Sequence, residues 1–309
     1  MTRITLVHQA ALGDTVLLIP LLRSLRMRFP DAAITLVTKT NLGQMFTMLG
    51  LVEAYASADD REHTAWFSAP ENKSPAEPNS RPAWADADYL LCGVAGPNDP
   101  WAQNAYLARP NAQPKSLLFF QPRPPAEYPN HVTQWHREQL AELDLVEPQP
   151  PLPRVNPDGV ILIHPCSGGD AKCWARERFI SLGRSLKRNG IIPTYVLGEV
   201  EQEKWGYRLI DEMKVEFPWY LHMGLYELAE RISRARLFVG NDSGVTHLAA
   251  AMGVPTIALF GPSNDRQWSP VGPAVKILRA PEPNSTNLDA LDESTLLSEI
   301  LAELRIFNS

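Results

Sequence analysis

Cysteine is scarce in this chain of 309 residues, which contains Cys92, Cys166 and Cys173 and no others. An odd count without paired spacing argues against a disulfide framework. A zinc site needs clustered ligands, and no histidine stands at a matching distance from Cys166 and Cys173. We therefore expect reduced thiols, as in a cytoplasmic protein, and no bound metal.

Long apolar runs are also lacking. The apolar run at residues 16–22 is short, and arginines follow it where a signal-peptide cleavage site would need small residues. No segment approaches the roughly 20 consecutive apolar residues that span a bilayer. We expect a soluble protein, and contact with a membrane surface stays open.

An excess of positive charge is absent as well. Lysine and arginine total 29 against 35 aspartate and glutamate residues, which gives a formal net charge of −6. Because nucleic acids are usually bound by a basic surface, we expect no nucleic-acid partner. The hydrophobic fraction of 44% and the charged fraction of 21% are typical of a globular enzyme, and the length favours two domains.

The first half of the chain opens with a strand–helix–strand pattern. Strands are predicted at residues 4–7 and 33–37, with an apolar helical pattern between them. Such a βαβ unit implies a parallel sheet. Pro20 lies inside the helical pattern, which predicts a kink or a late helix start.

The second half repeats this organisation after a proline-rich segment at residues 147–153, which is the best linker candidate. A buried strand at 160–164 is followed by a helix at 176–189. Further buried strands are predicted at 89–92, 116–120, 192–197, 237–239 and 256–260. The pattern indicates an α/β protein of two facing Rossmann-like domains, residues 1–152 and 153–309, with parallel sheets and a central cleft.

The most informative segment, residues 238–251, combines a strand end, a small polar turn and an alanine-rich helix. This order places the N–H groups of Ser243, Gly244 and Val245 at a helix N-terminus, where the helix dipole favours an anion such as phosphate. The alternative is a plain helix cap made by Asp242 or Ser243 with nothing bound. Spacing alone leaves both interpretations open.

Two further segments follow predicted strands. Residues 167–174 offer Ser167, the flexible Gly168 and Lys172, whose charge would offset that of a departing diphosphate. Gly13-Asp14 follows the first strand, where a carboxylate could take a proton from an attacking hydroxyl. Taken alone, a lysine here is more often a surface residue and an aspartate is more often a helix cap.

Together, these segments resemble glycosyltransferase family 9, the heptosyltransferases that build the inner core of lipopolysaccharide. In the second half the resemblance rests on Asp242-Ser243-Gly244 with His247-Leu248-Ala249-Ala250-Ala251, Gly253-Val254-Pro255, Leu259-Phe260-Gly261-Pro262 and Ser269-Pro270. Elsewhere it rests on Leu12-Gly13-Asp14 with Ile19-Pro20-Leu21-Leu22, and on Lys172 and Trp174 after His164-Pro165.

The resemblance implies a GT-B fold and an inverting, metal-independent transfer from ADP-heptose, without a further cofactor. Asp14 would be the general base and Lys172 would stabilise the leaving ADP. The residues that it assigns to the donor are Gly13, Ser167, Gly168, Trp174, Glu201, Met223, Asp242, Ser243, Gly244 and His247. In this scheme Met223 meets adenine, Glu201 or Gln202 meets the ribose, and His247 braces the loop.

The acceptor is less well defined by the sequence. The family binds phosphorylated sugar–lipid cores through cationic residues, and the first domain here is proline-rich instead, notably at 68–82. Its cationic candidates are Lys39, Arg61, Lys73 and Arg81. The partner would be a glycan or glycolipid in the cytoplasm, with contact at the inner face of the inner membrane left open.

Three other interpretations remain. A family relative could use another nucleotide sugar, and a nucleotide-sugar-binding module could have lost transfer, although such a module would not need Asp14. A Rossmann dehydrogenase is disfavoured because residues 7–13 lack the Gly-x-Gly-x-x-Gly turn. The C-terminal pattern of Leu296, Ile300 and Leu304 predicts a helix, which in GT-B folds commonly packs on the first domain.

Overall fold

The structure, a computed structural model, describes residues 1–60, 63, 65–67, 82, 84–109, 116–148, 156, 158–282 and 286–306. The chain divides into two compact units, Met1–Pro148 and Gln149–Ser309. Most of the irregular loop predicted at 68–82, most of the linker at 147–153, and three of the cationic candidates (Arg61, Lys73 and Arg81) lie outside the described residues.

Among the described residues of the first unit, five parallel strands form a sheet in the order β3-β2-β1-β4-β5. The strands are β1 (Arg3–Val7), β2 (Ala33–Thr38), β3 (Ala54–Ser57), β4 (Tyr89–Cys92) and β5 (Leu117–Phe119). The helices are α1 (Leu12–Val16), α2 (Ile19–Arg28), α3 (Thr40–Met48), α4 (Pro100–Ala108) and α5 (Val132–Gln139).

The break predicted at Pro20 is confirmed. Helix α1 ends at Val16 and α2 begins at Ile19, so Pro20 stands in the first turn of α2. The N–H groups of a first turn have no intrahelical acceptor, and a proline there therefore costs no hydrogen bond. The apolar stretch that looked like one disturbed helix is two.

Among the described residues of the second unit, six parallel strands form a sheet in the order β11-β10-β9-β6-β7-β8. The strands are β6 (Ile161–His164), β7 (Thr194–Leu197), β8 (Trp219–Leu221), β9 (Leu237–Asn241), β10 (Thr256–Leu259) and β11 (Val275–Leu278). The helices are α6 (Arg176–Arg188), α7 (Glu199–Glu216), α8 (Leu225–Ser233), α9 (Gly244–Ala251), α10 (Asp265–Trp268) and α11 (Glu293–Ile306).

Each sheet has a point at which the strand order reverses. In the first unit β1 lies between β2 and β4, and in the second β6 lies between β7 and β9. Connections that leave neighbouring strands in opposite directions open a crevice at the carboxyl ends of those strands, where ligands of open parallel sheets bind. The loops after β1 and β4, and those after β6 and β9, are therefore the places where sites are expected.

The C-terminal helix predicted from the apolar pattern is present as α11. It packs against α6, and Leu296, Ile300 and Leu304 are at most 6% exposed. They belong to one apolar cluster with Leu182 and Leu186 of α6. The apolar face of α11 is thus part of the core of the second unit.

We predict that truncating this face destabilises the second unit. Ile300 is fully buried, so Ile300→Ala should lower the free energy of unfolding by about 2–5 kcal/mol through lost burial and the cavity left behind. Urea unfolding followed by fluorescence measures the loss. The matched control is Val215→Ala on α7, where the side chain is 91% exposed and the same measurement should change little. Equal losses in both variants would contradict the packing described for α11.

Candidate functional site

Two loops of the second unit begin side by side because β6 pairs with β9. His164 lies opposite Gly240 in this register, so the segments after both residues leave the sheet at the same edge. A Cβ atom on Gly240 would lie 2.6 Å from Oγ1 of Thr246 and 3.2 Å from the carbonyl oxygen of His164. Only glycine allows the strand, the helix that follows it and the neighbouring strand to approach this closely.

Asn241, the last residue of β9, joins the two loops. Its side chain is fully buried, donates from Nδ2 to the carbonyl oxygen of Pro165 at 2.7 Å, and accepts at Oδ1 from the N–H of Trp174 at 3.0 Å. One amide therefore fixes both ends of the loop at residues 165–174. Sequence analysis did not select Asn241, although its position directly before Asp242 could have marked it.

Trp174, which the family resemblance assigned to the donor, is a core residue. Its side chain is 1% exposed, its ring packs edge-on to Phe179, and its Nε1–H donates to the carbonyl oxygen of Leu291 at 3.1 Å. The indole therefore anchors the loop that follows β6, and a contact of Trp174 with the donor remains a prediction.

Lys172 and Asp242 form the charged centre of this edge. Lys172 Nζ lies 2.7 Å from Asp242 Oδ2, and the hydroxyl of Ser167 donates to the carbonyl oxygen of Asp242 at 2.6 Å. The Asp242 side chain is 6% exposed and that of Lys172 is 41% exposed. His247 Nε2 lies 3.6 Å from Asp242 Oδ1. The two predicted segments thus meet through the buried carboxylate of Asp242 and the half-exposed ammonium group of Lys172.

Asp242 is ionised at neutral pH despite its burial. Desolvation alone would raise its pKa, but hydrogen bonds from His247, Lys172 and Ser263 and the charge of Lys172 outweigh it and hold the pKa at about 2. The site therefore contains a fixed negative charge with a lysine as its partner.

Ser243 is the N-cap of α9. Its hydroxyl accepts a hydrogen bond from the N–H of Thr246 at 3.3 Å, so the cap interpretation applies to this residue. The N–H groups of Gly244 and Val245 stand in the first turn, where helical geometry supplies no acceptor. The helix end therefore keeps the donors and the dipole that favour an anion.

Glu201 and Met223 lie on neighbouring parts of the same unit. Glu201 is 1% exposed; its Oε2 accepts from the N–H of Gly198 at 2.7 Å, and its Oε1 lies 3.3 Å from Nε2 of His164. Met223 is half-buried in the loop between β8 and α8. Glu201 thus caps α7 and faces His164, while the predicted contacts of both residues with a nucleoside remain predictions. Gly168 has open space where a Cβ would stand.

In the first unit, Asp14 is held by an arginine far away in the sequence. Asp14 stands in the first turn of α1 after Gly13, and Ala11 rather than Asp14 is the N-cap. Its Oδ2 accepts from Nη2 of Arg123 at 2.8 Å, and its side chain is 18% exposed against 73% for Arg123. The carboxylate raises the pKa of the arginine. Arg123 was not selected from the sequence.

Two buried histidines lie in the same region. His8 and His136 are each 1% exposed, and burial lowers the pKa of each to about 4. At His8, the electrostatic effect of His136 adds to that of burial. His136 Nε2–H donates to the carbonyl oxygen of Pro122 at 2.9 Å. Both rings are therefore neutral at pH 7, and the charged groups that face solvent here are Asp14 and Arg123.

A cavity of about 610 Å³ opens at the carboxyl ends of β4 and β5. Its lining combines backbone of the loop at residues 93–97 with the side chains of Asp99, Phe119, Gln121 and Gln139. Mixed amide, carboxylate and aromatic groups of this kind suit a polar, uncharged ligand rather than a polyanion.

Within the part of the chain that the structure describes, no group of three or more His, Cys, Asp and Glu side chains is arranged to hold a metal ion. In the same described part, no helix is both long enough and apolar enough to cross a membrane.

The model of glycosyltransferase family 9 (heptosyltransferase) matches residues 108–297, which include most of the second unit and all of the loops around Lys172 and Asp242. The chain belongs to glycosyltransferase family 9.

Relatives of this family 9 glycosyltransferase match either most of its length or a part of it. Lipopolysaccharide heptosyltransferase 1 of Escherichia coli K12 is 25% identical over 314 residues, which cover 93% of this chain and 97% of that protein. Lipooligosaccharide heptosyltransferase 2 of Campylobacter jejuni is 30% identical over 126 residues, 40% of each chain. The solved structure of E. coli heptosyltransferase WaaC with ADP covers 98% of this chain and all of its own at 20% identity, with a TM-score of 0.71. The fold is GT-B, two α/β units with parallel sheets.

We predict that Asp242 stabilises this glycosyltransferase at neutral pH and loses that effect in acid. Its pKa is lowered from 3.8 to about 2, so the contribution is complete above about pH 4, is lost as the pH falls to about 2, and amounts to about 2 kcal/mol. Asp242→Asn should be less stable than the unaltered protein at pH 7, and the difference should shrink towards pH 2. Urea unfolding at a series of pH values measures it.

The control for this titration is Asp158→Asn, at an exposed position of the same unit, which should keep the pH profile of the unaltered protein. If Asp242→Asn lowers the free energy of unfolding by the same amount at every pH, the substitution acts through packing and not through the charge.

Proposed function

We propose that this enzyme transfers a heptose from ADP-heptose to a sugar hydroxyl of a lipopolysaccharide core or related glycan, with inversion and without a metal ion. The observation that carries the proposal is the ion pair of Lys172 and Asp242. It lies where the strand order of the second sheet reverses, next to the N-terminus of α9. This edge offers a cation, backbone donors and a fixed carboxylate within a few ångströms.

The donor diphosphate binds, in this proposal, across the first turn of α9 and Lys172. The amides of Ser243 and Gly244 donate to phosphate oxygens, and the hydroxyl of Ser167 exchanges its hydrogen bond to the carbonyl oxygen of Asp242 for one to phosphate. Lys172 offsets the charge that grows on the departing ADP. Lys172 suits this role because its side chain is 41% exposed and already directed to the site by Asp242. Asp242, in turn, accepts hydrogen bonds from hydroxyl groups of the sugar.

Asp14 is the general base of the proposed reaction. It accepts the proton of the acceptor hydroxyl as that oxygen attacks the anomeric carbon from the face opposite ADP. The ion pair with Arg123 at 2.8 Å supports this role because it fixes the direction of a carboxylate that is still partly exposed. His8, directly after β1, is neutral, so the ion pair with Arg123 orients Asp14 beside an uncharged ring.

The acceptor binds to the first unit in this proposal, in the cavity beyond β4 and β5. The side chain of Gln121 can donate to and accept from sugar hydroxyls, Gln139 fixes the backbone of Gln121 through two hydrogen bonds, and Phe119 offers an aromatic face. Arg123 and Lys39 are exposed cations that would meet acidic groups of a lipopolysaccharide core. The proposed location is the cytoplasm, where a glycolipid acceptor is presented at the inner face of the inner membrane.

Binding of ADP, UDP and GDP to the purified protein, without and with Mg²⁺, tests the donor. Calorimetry should give the tightest binding for ADP, with an affinity that Mg²⁺ leaves unchanged. A preference for UDP or GDP would support the alternative of a family relative with another nucleotide sugar. No binding of any nucleotide would overturn the proposal, and ADP binding without any transfer would leave the alternative of a non-catalytic binding module.

Lys172→Ala should weaken ADP binding. A hydrogen bond to a charged group contributes about 1.5–3 kcal/mol, so the dissociation constant should rise by about 10- to 100-fold. Calorimetric titration with ADP measures the change. Lys187→Ala, an exposed lysine in the last turn of α6, is the control and should bind ADP like the unaltered protein. Equal affinity in both variants would remove Lys172 from the site.

Asp14→Asn should abolish turnover and leave ADP binding intact. Asparagine keeps the shape of the side chain and cannot accept the proton, so the rate of transfer from ADP-heptose should fall by about 10²–10⁴-fold. ADP release during transfer gives the rate, and calorimetry gives the affinity. Asp31→Asn, at an exposed position of the same unit, is the control. A normal rate in Asp14→Asn would assign the base to another residue.

A further inference from the structure

Cys166 and Cys173 stand at the two ends of the loop that carries Ser167 and Lys172. Cys166 is buried directly after His164-Pro165, and Cys173 is half-exposed directly after Lys172. Although they are seven positions apart in the sequence, the two residues lie close together: Sγ of Cys173 accepts from the N–H of Ser167, the residue after Cys166, at 3.2 Å, and both cysteines line one cavity. The hydrogen bonds of Asn241 to Pro165 and Trp174 hold the residues next to both cysteines and so fix this proximity.

The surroundings of Cys173 favour its thiolate. The adjacent Cys166 thiol, the N–H of Ser167 at 3.2 Å from Sγ, and the charge of Lys204 together hold its pKa below the ordinary value against the effect of burial. Lys204 is itself fixed, because it donates to the carbonyl oxygen of Ser167 at 3.1 Å and lies 2.5 Å from Asp170. The pKa of Cys166 is raised, so this residue keeps its proton.

Cys173 can also be reached from solvent. Together with Cys166, it lines an open cavity of about 370 Å³ bordered by Asp170, Lys204 and Trp205. Cys92 differs in every respect. It is fully buried at the end of β4, in the other unit, and burial raises its pKa to about 11. The thiolate form is the nucleophile, so the two cysteines beside Lys172 differ sharply in reactivity from the third.

We infer that Cys166 and Cys173 form a reactive dithiol, a site of covalent modification that small disulfides such as oxidised glutathione convert to an intramolecular disulfide. The thiolate of Cys173 attacks one sulfur of the small disulfide, forming a mixed disulfide and expelling one thiolate. Cys166 then loses its proton, attacks the sulfur of Cys173 and expels the second small thiol. The two protein thiols give up two electrons and two protons, and the small disulfide is reduced to two thiols.

Oxidation changes the loop that carries Lys172. A disulfide bond of about 2.05 Å is far shorter than any non-bonded contact between two thiols, so the two sulfurs must move together. Because Cys173 is bonded to Lys172 in sequence and Cys166 to Ser167, the movement acts on both contacts to Asp242. The oxidised protein therefore binds ADP less tightly. This consequence, unlike disulfide formation itself, rests on the proposed donor site.

Peptide mapping tests the dithiol. The full-length reduced protein is incubated with oxidised glutathione, alkylated and digested with trypsin without reduction. Trypsin cleaves after Arg154, Lys172 and Arg176, so the disulfide should appear as peptide 155–172 linked to peptide 173–176, with Cys92 still alkylated. A linkage to Cys92, glutathione retained on Cys173, or three alkylated cysteines would each overturn the inference.

Two variants sharpen the result. Cys92→Ser should form the same linked peptides, whereas Cys166→Ser should retain one glutathione on Cys173 because no thiol is left to displace it. If Cys166→Ser does not fold, the peptide map of the unaltered protein still decides.

Calorimetry with ADP on the reduced and oxidised protein separates this inference from the proposed function. Loss of one charged hydrogen bond of about 1.5 kcal/mol corresponds to about a ten-fold weaker affinity after oxidation. Linked peptides with unchanged ADP affinity would overturn the coupling to Lys172. If oxidation yields the linked peptides but the reduced protein binds no ADP, the proposed donor site is overturned and the dithiol still stands.

Discussion

The candidate donor site depends on the buried side chain of Asn241. Its amide spans two loops whose residues are about seventy positions apart, since it donates to Pro165 and accepts from Trp174. An unpaired buried amide is costly, and each of these hydrogen bonds therefore specifies one conformation of the loop after β6. Lys172 is directed at Asp242, and Cys166 and Cys173 line one cavity, because this loop is fixed at both ends.

The charges at this edge follow from the same constraint. A buried carboxylate is stable only with partners, and Asp242 has Lys172 and His247 on its side-chain oxygens. The carboxylate of the first unit is stabilised in a different way. There Asp14 is partly exposed, its partner Arg123 reaches it from the segment after β5, and the adjacent His8 and His136 are kept neutral by burial. Both units thus present an acid with a cationic partner at the carboxyl ends of parallel strands.

The strands that sequence analysis found are those buried on both faces. In β1, β6 and β10 nearly every residue is buried, and an uninterrupted apolar run is the result. The missed strands β3, β8 and β11 lie at sheet edges, are only three or four residues long and are partly exposed, so no long apolar run marks them. The helix break near Pro20 was predicted correctly because proline has no N–H to donate and is therefore tolerated only in the first turn of a helix.

The sequence by itself determined the family, the two parallel α/β units and the segments that hold Asp14, Lys172 and Asp242, because these depend on local patterns of strand, turn and helix start. The tertiary structure alone decided which side chains meet. Arg123 reaches Asp14 across 109 positions and Lys172 reaches Asp242 across 70. The physical reason is the strand order, since parallel sheets bring the ends of distant strands to one edge, and no local pattern encodes that neighbourhood.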